Sequence, residues 1–175
     1  NGVWGPAHHL LAADRVQSYA KRALPIVTLM DTPGADPNEQ ANRDNQAHSI
    51  SRLIAEMSNV DVPNVGIVFG LGYSGGAIPL AASNIILAVR DGVFSTIQPR
   101  GLASIARRLN LSWQECAKYV GLSVFELHVQ GNIDGIIDYA PSDTSVVNLQ
   151  KAIVAAVQRI EDRAKEFVAE NPYII

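Results

Sequence analysis

Val65-Gly-Ile-Val-Phe-Gly-Leu-Gly-Tyr-Ser-Gly-Gly-Ala77 carries two signals back to back. The apolar, β-branched run Val65, Ile67, Val68 and Phe69 reads as a buried strand. It breaks into glycines at Gly70, Gly72, Gly75 and Gly76, and an alanine-rich helical start follows from Ala77 to Ala82. Strand, tight turn and helix N-terminus in that order bring backbone N–H groups close to whatever occupies the turn. The glycines permit the approach, and a helix N-terminus adds partial positive charge. Such a turn suits a developing negative oxygen.

Working outward on the N-terminal side, Ile26 to Met30 reads as a second buried strand. It runs into Asp31-Thr-Pro-Gly-Ala-Asp-Pro37, whose prolines and glycine force a turn at a strand end. Residues 8 to 23 carry a helical stripe at Ala12, Val16, Tyr19, Ala20 and Ala23, ended by Pro25. A polar segment, Asn38 to Asn45, leads into a helix with Ile50, Leu53, Ile54 and Met57 on one face, and Pro63 closes that unit. On the C-terminal side, Ile85–Val89 and Val93–Ile97 read as short strands around the turn Arg90-Asp91-Gly92. Helical pieces are expected at 102–109, 112–120 and 123–129, with a capping box from Ser112 to Glu115. A short strand at Ile133–Ile137 and a long helix over 144–169 complete the chain. Leu149, Ile153, Ala156, Val157 and Ile160 form that helix's apolar face. Alternating strands and helices predict an α/β domain with a largely parallel sheet.

The chain has 175 residues, enough for one domain with a real core. Apolar residues at 47% and charged residues at 18% mark a globular composition. With 14 Lys+Arg against 17 Asp+Glu, the net charge of −3 argues against a nucleic-acid or anionic-membrane surface. No run approaches the roughly 18 apolar residues of a membrane span. A single cysteine, Cys116, leaves no internal disulfide and no cysteine-cluster metal site. The expectation is a cytoplasmic protein without a metal of its own.

Gly72-Tyr-Ser-Gly-Gly76 matches the GxSxG elbow of serine hydrolases, with Ser74 as nucleophile and Asp91 and His128 as the later acid and base. His128 sits in the apolar run Val124-Phe-Glu-Leu-His-Val129, where a packed or surface histidine is the simpler reading. Asp31-Thr-Pro-Gly34 has the form of a GTPase DxxG loop, but no GxxxxGK[ST] phosphate loop accompanies it. The GxGxxG at Gly70, Gly72 and Gly75 lacks a suitably placed acidic partner. His8, His9 and His48 have no partner at metal-ligand spacing and read as surface residues. What survives is a pair of turns, Gly34-Ala35 and Gly75-Gly76, each expected between a strand and a helix. On neighbouring strands they could polarise two carbonyl oxygens with backbone amides.

Leu24-Pro-Ile-Val-Thr-Leu-Met-Asp-Thr-Pro-Gly-Ala35, Ile54-Ala-Glu-Met-Ser58, Val62-Pro63, Gly72-Tyr-Ser-Gly-Gly-Ala77 and Pro99-Arg-Gly-Leu-Ala-Ser104 together resemble the carboxyltransferase α subunit of bacterial acetyl-CoA carboxylase. The resemblance covers about residues 5 to 140. It implies a crotonase-type (ClpP/crotonase) spiral of ββα units, with residues 1–175 a single α-type domain that lacks the family's first strands. It also implies the biotin-side half of a biotin-dependent acyl-CoA carboxyltransferase. In that half the amides of Gly75 and Gly76 would hold the ureido oxygen of carboxybiotin. Gly34, Ala35, Gly72, Tyr73, Ser74, Arg100 and Gly101 would line the substrate cleft. The implied partners are a carboxyltransferase β-type subunit or domain, a biotin carrier protein, the acyl-CoA and further copies in an oligomer. The charged surroundings depart from the family: Leu71 stands where a glutamate is usual, Tyr73 where a glycine is usual, and Arg100 reverses the charge of a Pro-Glu-Gly turn. Alternatives are a stand-alone hydratase or isomerase with Asp36 as base, the serine hydrolase at Ser74, and a non-catalytic assembly subunit.

Overall fold

The first helix, α1 (Pro6–Ala20), starts at a proline, whose missing N–H costs nothing in a helix's first turn. The structure, a computed structural model, describes residues 2–120, 123–140 and 142–173. The elements that follow are β1 (Ile26–Thr32), α2 (Glu39–Arg43), α3 (Gln46–Asn59), β2 (Asn64–Tyr73), α4 (Ser74–Ala77), β3 (Ile85–Val89) and β4 (Val93–Ser95). Then come α5 (Pro99–Ile105), a 3₁₀ turn (Arg107–Leu109), α6 (Trp113–Ala117), α7 (Val124–Val129), β5 (Gly135–Ile137) and α8 (Val147–Glu170).

The sheet runs in the order β1-β2-β3-β5, and every pairing is parallel. Strand β2 is the centre, and it is longer than its apolar run suggests. Its glycine-rich end stays extended because β4 pairs with it there, Leu71 opposite Val93 and Tyr73 opposite Ser95. The residues around the Arg90-Asp91-Gly92 turn are therefore not a hairpin: β3 and β4 lie one after the other along the same edge of β2. Gly72 belongs to this strand, and a Cβ on it would sit 2.9 Å from Phe94 Cδ2 and 3.2 Å from the Val93 carbonyl oxygen. Its lack of a side chain lets β4 close on β2.

Helices cover both faces of the sheet. On one face Met30 and Val68 pack with Leu53 and Met57 of α3 and Ala13 and Val16 of α1. The α1 stripe is rotated from the sequence expectation: His9, Ala13 and Val16 are buried, whereas Tyr19 is exposed. On the other face Val65, Ile67, Leu87 and Ile137 meet the expected stripe of α8, with Ala156 at its centre. That helix leaves the outer strand uncovered, and Val27 and Leu29 of β1 remain 37% and 53% exposed. No helix among the described residues is long and apolar enough to cross a membrane.

Candidate active site

The site forms where β1 and β2 end side by side. At the end of β1, Gly34 has φ +134°, a conformation open to glycine alone in practice, and it turns the chain back on itself. Thr32 holds this turn: its buried hydroxyl accepts the Gly34 N–H at 3.2 Å and donates to the Gly2 carbonyl at 2.8 Å. The Gly34 carbonyl accepts the Trp4 N–H at 2.9 Å, and the Trp4 carbonyl accepts the Asp36 N–H at 2.9 Å. Gly34 N–H is thus committed within the protein and is not the open donor expected from sequence. Ala35 itself pairs with Trp4 in a parallel bridge before α2 begins.

At the end of β2 the chain enters α4 through Ser74, whose φ of +52° is uncommon for a residue with a Cβ. Helix α4 is a single turn, not the longer helix expected from Ala77 to Ala82, so the donors at this turn are individual amides rather than a helix dipole. Its first N–H groups have no intrahelical acceptor. The Gly75 and Gly76 amides donate to no described residue.

The two turns are packed together. A Cβ on Gly76 would lie 2.7 Å from the Gly34 carbonyl carbon, and one on Gly75 would lie 2.9 Å from Ile50 Cδ1 and 3.2 Å from Ala35 Cβ. Only glycine allows this contact at position 76, where the obstacle is backbone. Cavities flank the joined turns. One of about 470 Å³ lies beyond α4, between Ile78, Phe94, Ser95, Lys118 and Glu126, and another of about 470 Å³ lies between Asp36, Asn42, Gln46 and Ile50.

The remaining candidates separate. Tyr73 is buried in β2, and burial pushes its phenol above the ordinary tyrosine value. Helix α5 is tied to the first turn by Gln98, whose Nε2 donates to the Pro33 carbonyl at 3.1 Å. Arg100 is exposed, with its guanidinium 5.3 Å from the Trp113 ring centre, and Gly101 packs in α5 against Ile97. His128 Nδ1 is 3.2 Å from the Ile133 carbonyl, and no hydrogen bond joins it to Ser74 or Asp91 among the described residues. The Asp36 carboxylate accepts both the Asn38 N–H at 3.1 Å and the Asn38 side-chain amide at 2.7 Å, a local turn rather than a free base. No group of three His, Cys, Asp or Glu side chains suited to a metal occurs among the described residues.

His9 is the clearest departure from the sequence reading. It is fully buried, not a surface residue, with its ring edge-on to Trp4 and Nε2 2.9 Å from the Gly75 carbonyl oxygen. Neighbouring Gln46 is buried too: its Nε2 donates to the Trp4 carbonyl at 3.0 Å and faces His9 Nδ1 at 3.4 Å, and its Oε1 has no partner. His9 lies one turn before Ala13 and two before Val16, so the rotated stripe was the only signal for its burial.

A sequence model described as "Acetyl co-enzyme A carboxylase carboxyltransferase-like" matches residues 6–173. The chain belongs to this family. The acetyl-coenzyme A carboxylase carboxyl transferase subunit alpha of Fusobacterium nucleatum is 36% identical over 167 residues, covering 91% of this chain and 53% of that protein. The subunits beta/alpha protein of Salinispora arenicola is 35% identical over 136 residues, covering 78% of this chain and 24% of that one. The chain thus spans about half the length of the Fusobacterium relative. Among solved structures, transcarboxylase 12S with hydrolysed methylmalonyl-coenzyme A bound superimposes with a TM-score of 0.76 at 17% identity, over 90% of this chain and 30% of that one. The fold is therefore the crotonase-type α/β fold that the sequence motifs implied.

Proposed function

We propose that this chain is the biotin-side half of a biotin-dependent acyl-CoA carboxyltransferase, with acetyl-CoA or a related acyl-CoA as acceptor. The observation that carries the proposal is the pair of glycine amides, Gly75 and Gly76, without an acceptor among the described residues and packed against the Gly34 turn. Family membership supports the reading, and so do names that relatives carry, which pair alpha with beta subunits.

The donor set fits a ureido group, which needs hydrogen-bond donors for its oxygen. Bound on its carrier protein, biotin would supply the carboxyl group, and the Gly75 and Gly76 N–H groups would hold its ureido oxygen, where negative charge would develop. Gly75 and Gly76 present N–H groups that would stabilise this charge more in the transition state than in the ground state. One such donor is worth roughly 3 kcal/mol in well-studied enzymes. Thr32, Trp4 and Gly34 hold the neighbouring turn in place, so the donors need no rearrangement during the reaction. Ser74, Tyr73, Ala35, Arg100 and Gly101 would contribute shape and polarity around the cleft. No side-chain nucleophile is required, in keeping with the positions of His128 and Asp36.

The same proposal takes residues 1–175 as one α-type domain, working in the cytoplasm within an oligomer beside a β-type subunit or domain that contacts the acyl-CoA. Malonyl-CoA-dependent carboxylation of a biotin derivative by the full-length protein with its β-type partner tests it. Turnover is the expected result. Its absence from an intact, partnered complex would overturn the assignment in favour of a non-catalytic assembly subunit.

A further inference from the structure

The peptide unit between residues 75 and 76 contains both the Gly75 carbonyl and the Gly76 amide. In a trans peptide these two groups point in opposite directions. The Gly75 carbonyl is held at 2.9 Å by His9 Nε2. A carbonyl oxygen only accepts, so this contact is a hydrogen bond in the tautomer with the proton on Nε2, the shorter of the ring's two carbonyl contacts; Nδ1 then accepts from the Gln46 amide at 3.4 Å and makes no bond to the Gly5 carbonyl. The bond fixes the rotation of the peptide plane, and with it the direction of the Gly76 N–H on the far side. It also draws electron density toward the oxygen, which makes the same peptide's N–H a stronger donor, as expected for chained hydrogen bonds.

We propose that His9 is a positioning residue for carboxyl transfer, aiming and polarising the Gly76 amide through the Gly75 carbonyl. The inference rests on the function proposed above.

The surroundings of His9 suit a fixed orientation. The ring is fully buried and leans edge-on against Trp4 with centres 5.3 Å apart. Nδ1 lies 3.1 Å from the Gly5 carbonyl and 3.4 Å from the Gln46 amide. Trp4, whose N–H and carbonyl bind Gly34 and Asp36, belongs to the same segment. One short stretch, residues 2–9, therefore grips both turns: Gly2 and Trp4 hold the Gly34 turn, and His9 holds the Gly75 turn. Both grips are bonds within the chain itself, so the alignment of the two turns is part of the fold.

The test uses His9→Phe, which keeps a planar ring but offers no N–H, and His9→Gln, whose side-chain amide can again reach the Gly75 carbonyl. Two readouts are taken on the full-length protein with its partner. The first is hydrogen exchange at the Gly76 amide, resolved by mass spectrometry. His9→Phe is expected to change that exchange rate at least ~10-fold and His9→Gln to restore it, and an unchanged rate in His9→Phe would overturn the proposal. The second is carboxyl transfer, in which His9→Phe is expected to lower kcat by ~10- to 100-fold with KM for the acyl-CoA within about twofold, and His9→Gln to recover most of it. Equal loss in both variants, or a loss confined to KM, contradicts positioning. If the wild-type complex transfers no carboxyl group, the functional reading fails, and the exchange measurement still decides whether His9 orients the amide.

Discussion

Ser74 occupies the left-handed region with φ +52°, where a Cβ is unfavourable. Replacing it by glycine is expected to raise stability by up to about 1 kcal/mol, measured by denaturant unfolding. Gly76 has the opposite constraint. Alanine there would place its Cβ 2.7 Å from the Gly34 backbone, so one turn must move away from the other. A cost of about 1–3 kcal/mol is expected for Gly76→Ala, the usual range for forcing a methyl into a packed site. Tyr73 gives a pH dependence at the alkaline end. Burial raises its pKa in the folded state, so the native protein binds the phenolic proton more tightly than the unfolded chain. That contribution to stability is present below the unfolded value of about 10 and is lost as pH rises through the folded value. Unfolding midpoints followed upward from about pH 9 should fall more steeply for the wild type than for Tyr73→Phe.

At the level of elements, α3 and α8 were legible because their apolar stripes keep helical period and end at clear signals. Leu53 of α3 is wholly buried between helix and sheet, and Leu53→Ala should cost about 2–5 kcal/mol by chemical denaturation. The Ser112–Glu115 capping box was equally readable: the Ser112 hydroxyl accepts the Glu115 N–H at 3.2 Å, and Glu115 Oε2 accepts the Ser112 N–H at 2.8 Å. The Ser112 hydroxyl, which also donates to Glu115 Oε2 at 2.6 Å, and then the Ser112 N–H hold the Glu115 carboxyl below its ordinary value, so its support of α6 is present above the unfolded pKa and is lost as pH falls through the folded one. Amide exchange at Glu115, corrected for its intrinsic pH dependence, should lose protection as the pH falls through that range. The extent of β2 was not legible, because its glycines at 70 and 72 carry no strand propensity, and the end of the strand stays extended through pairing with β4 on one edge and Thr32 of β1 on the other. The burial of His9 was hidden for a related reason. A histidine on a helix shows no apolar periodicity, and its partner is a backbone carbonyl far away in sequence.

Across the whole molecule, the parallel sheet collects the ends of β1 and β2 at one edge of the core, and both glycine turns emerge there in contact. The motifs Asp-Thr-Pro-Gly-Ala35 and Ser-Gly-Gly-Ala77 were each readable from sequence, but their contact depends on tertiary packing, and the Gly34 N–H is taken up by a local bond to Thr32 two residues earlier. No hydrogen bond joins Ser74 to His128 or Asp91 among the described residues, and the proposed chemistry falls to the backbone amides. The most direct measurement compares Ser74→Ala with Gly76→Ala in malonyl-CoA-dependent carboxylation of a biotin derivative by the full-length, partnered protein, with folding of each verified by circular dichroism. Ser74→Ala should stay within about threefold of wild type, while folded Gly76→Ala, which keeps its N–H but must swing it away from the Gly34 turn, should lose at least ~100-fold, the scale of an oxyanion donor taken out of line. Loss of turnover in Ser74→Ala with retention in Gly76→Ala would contradict backbone-amide catalysis at this site.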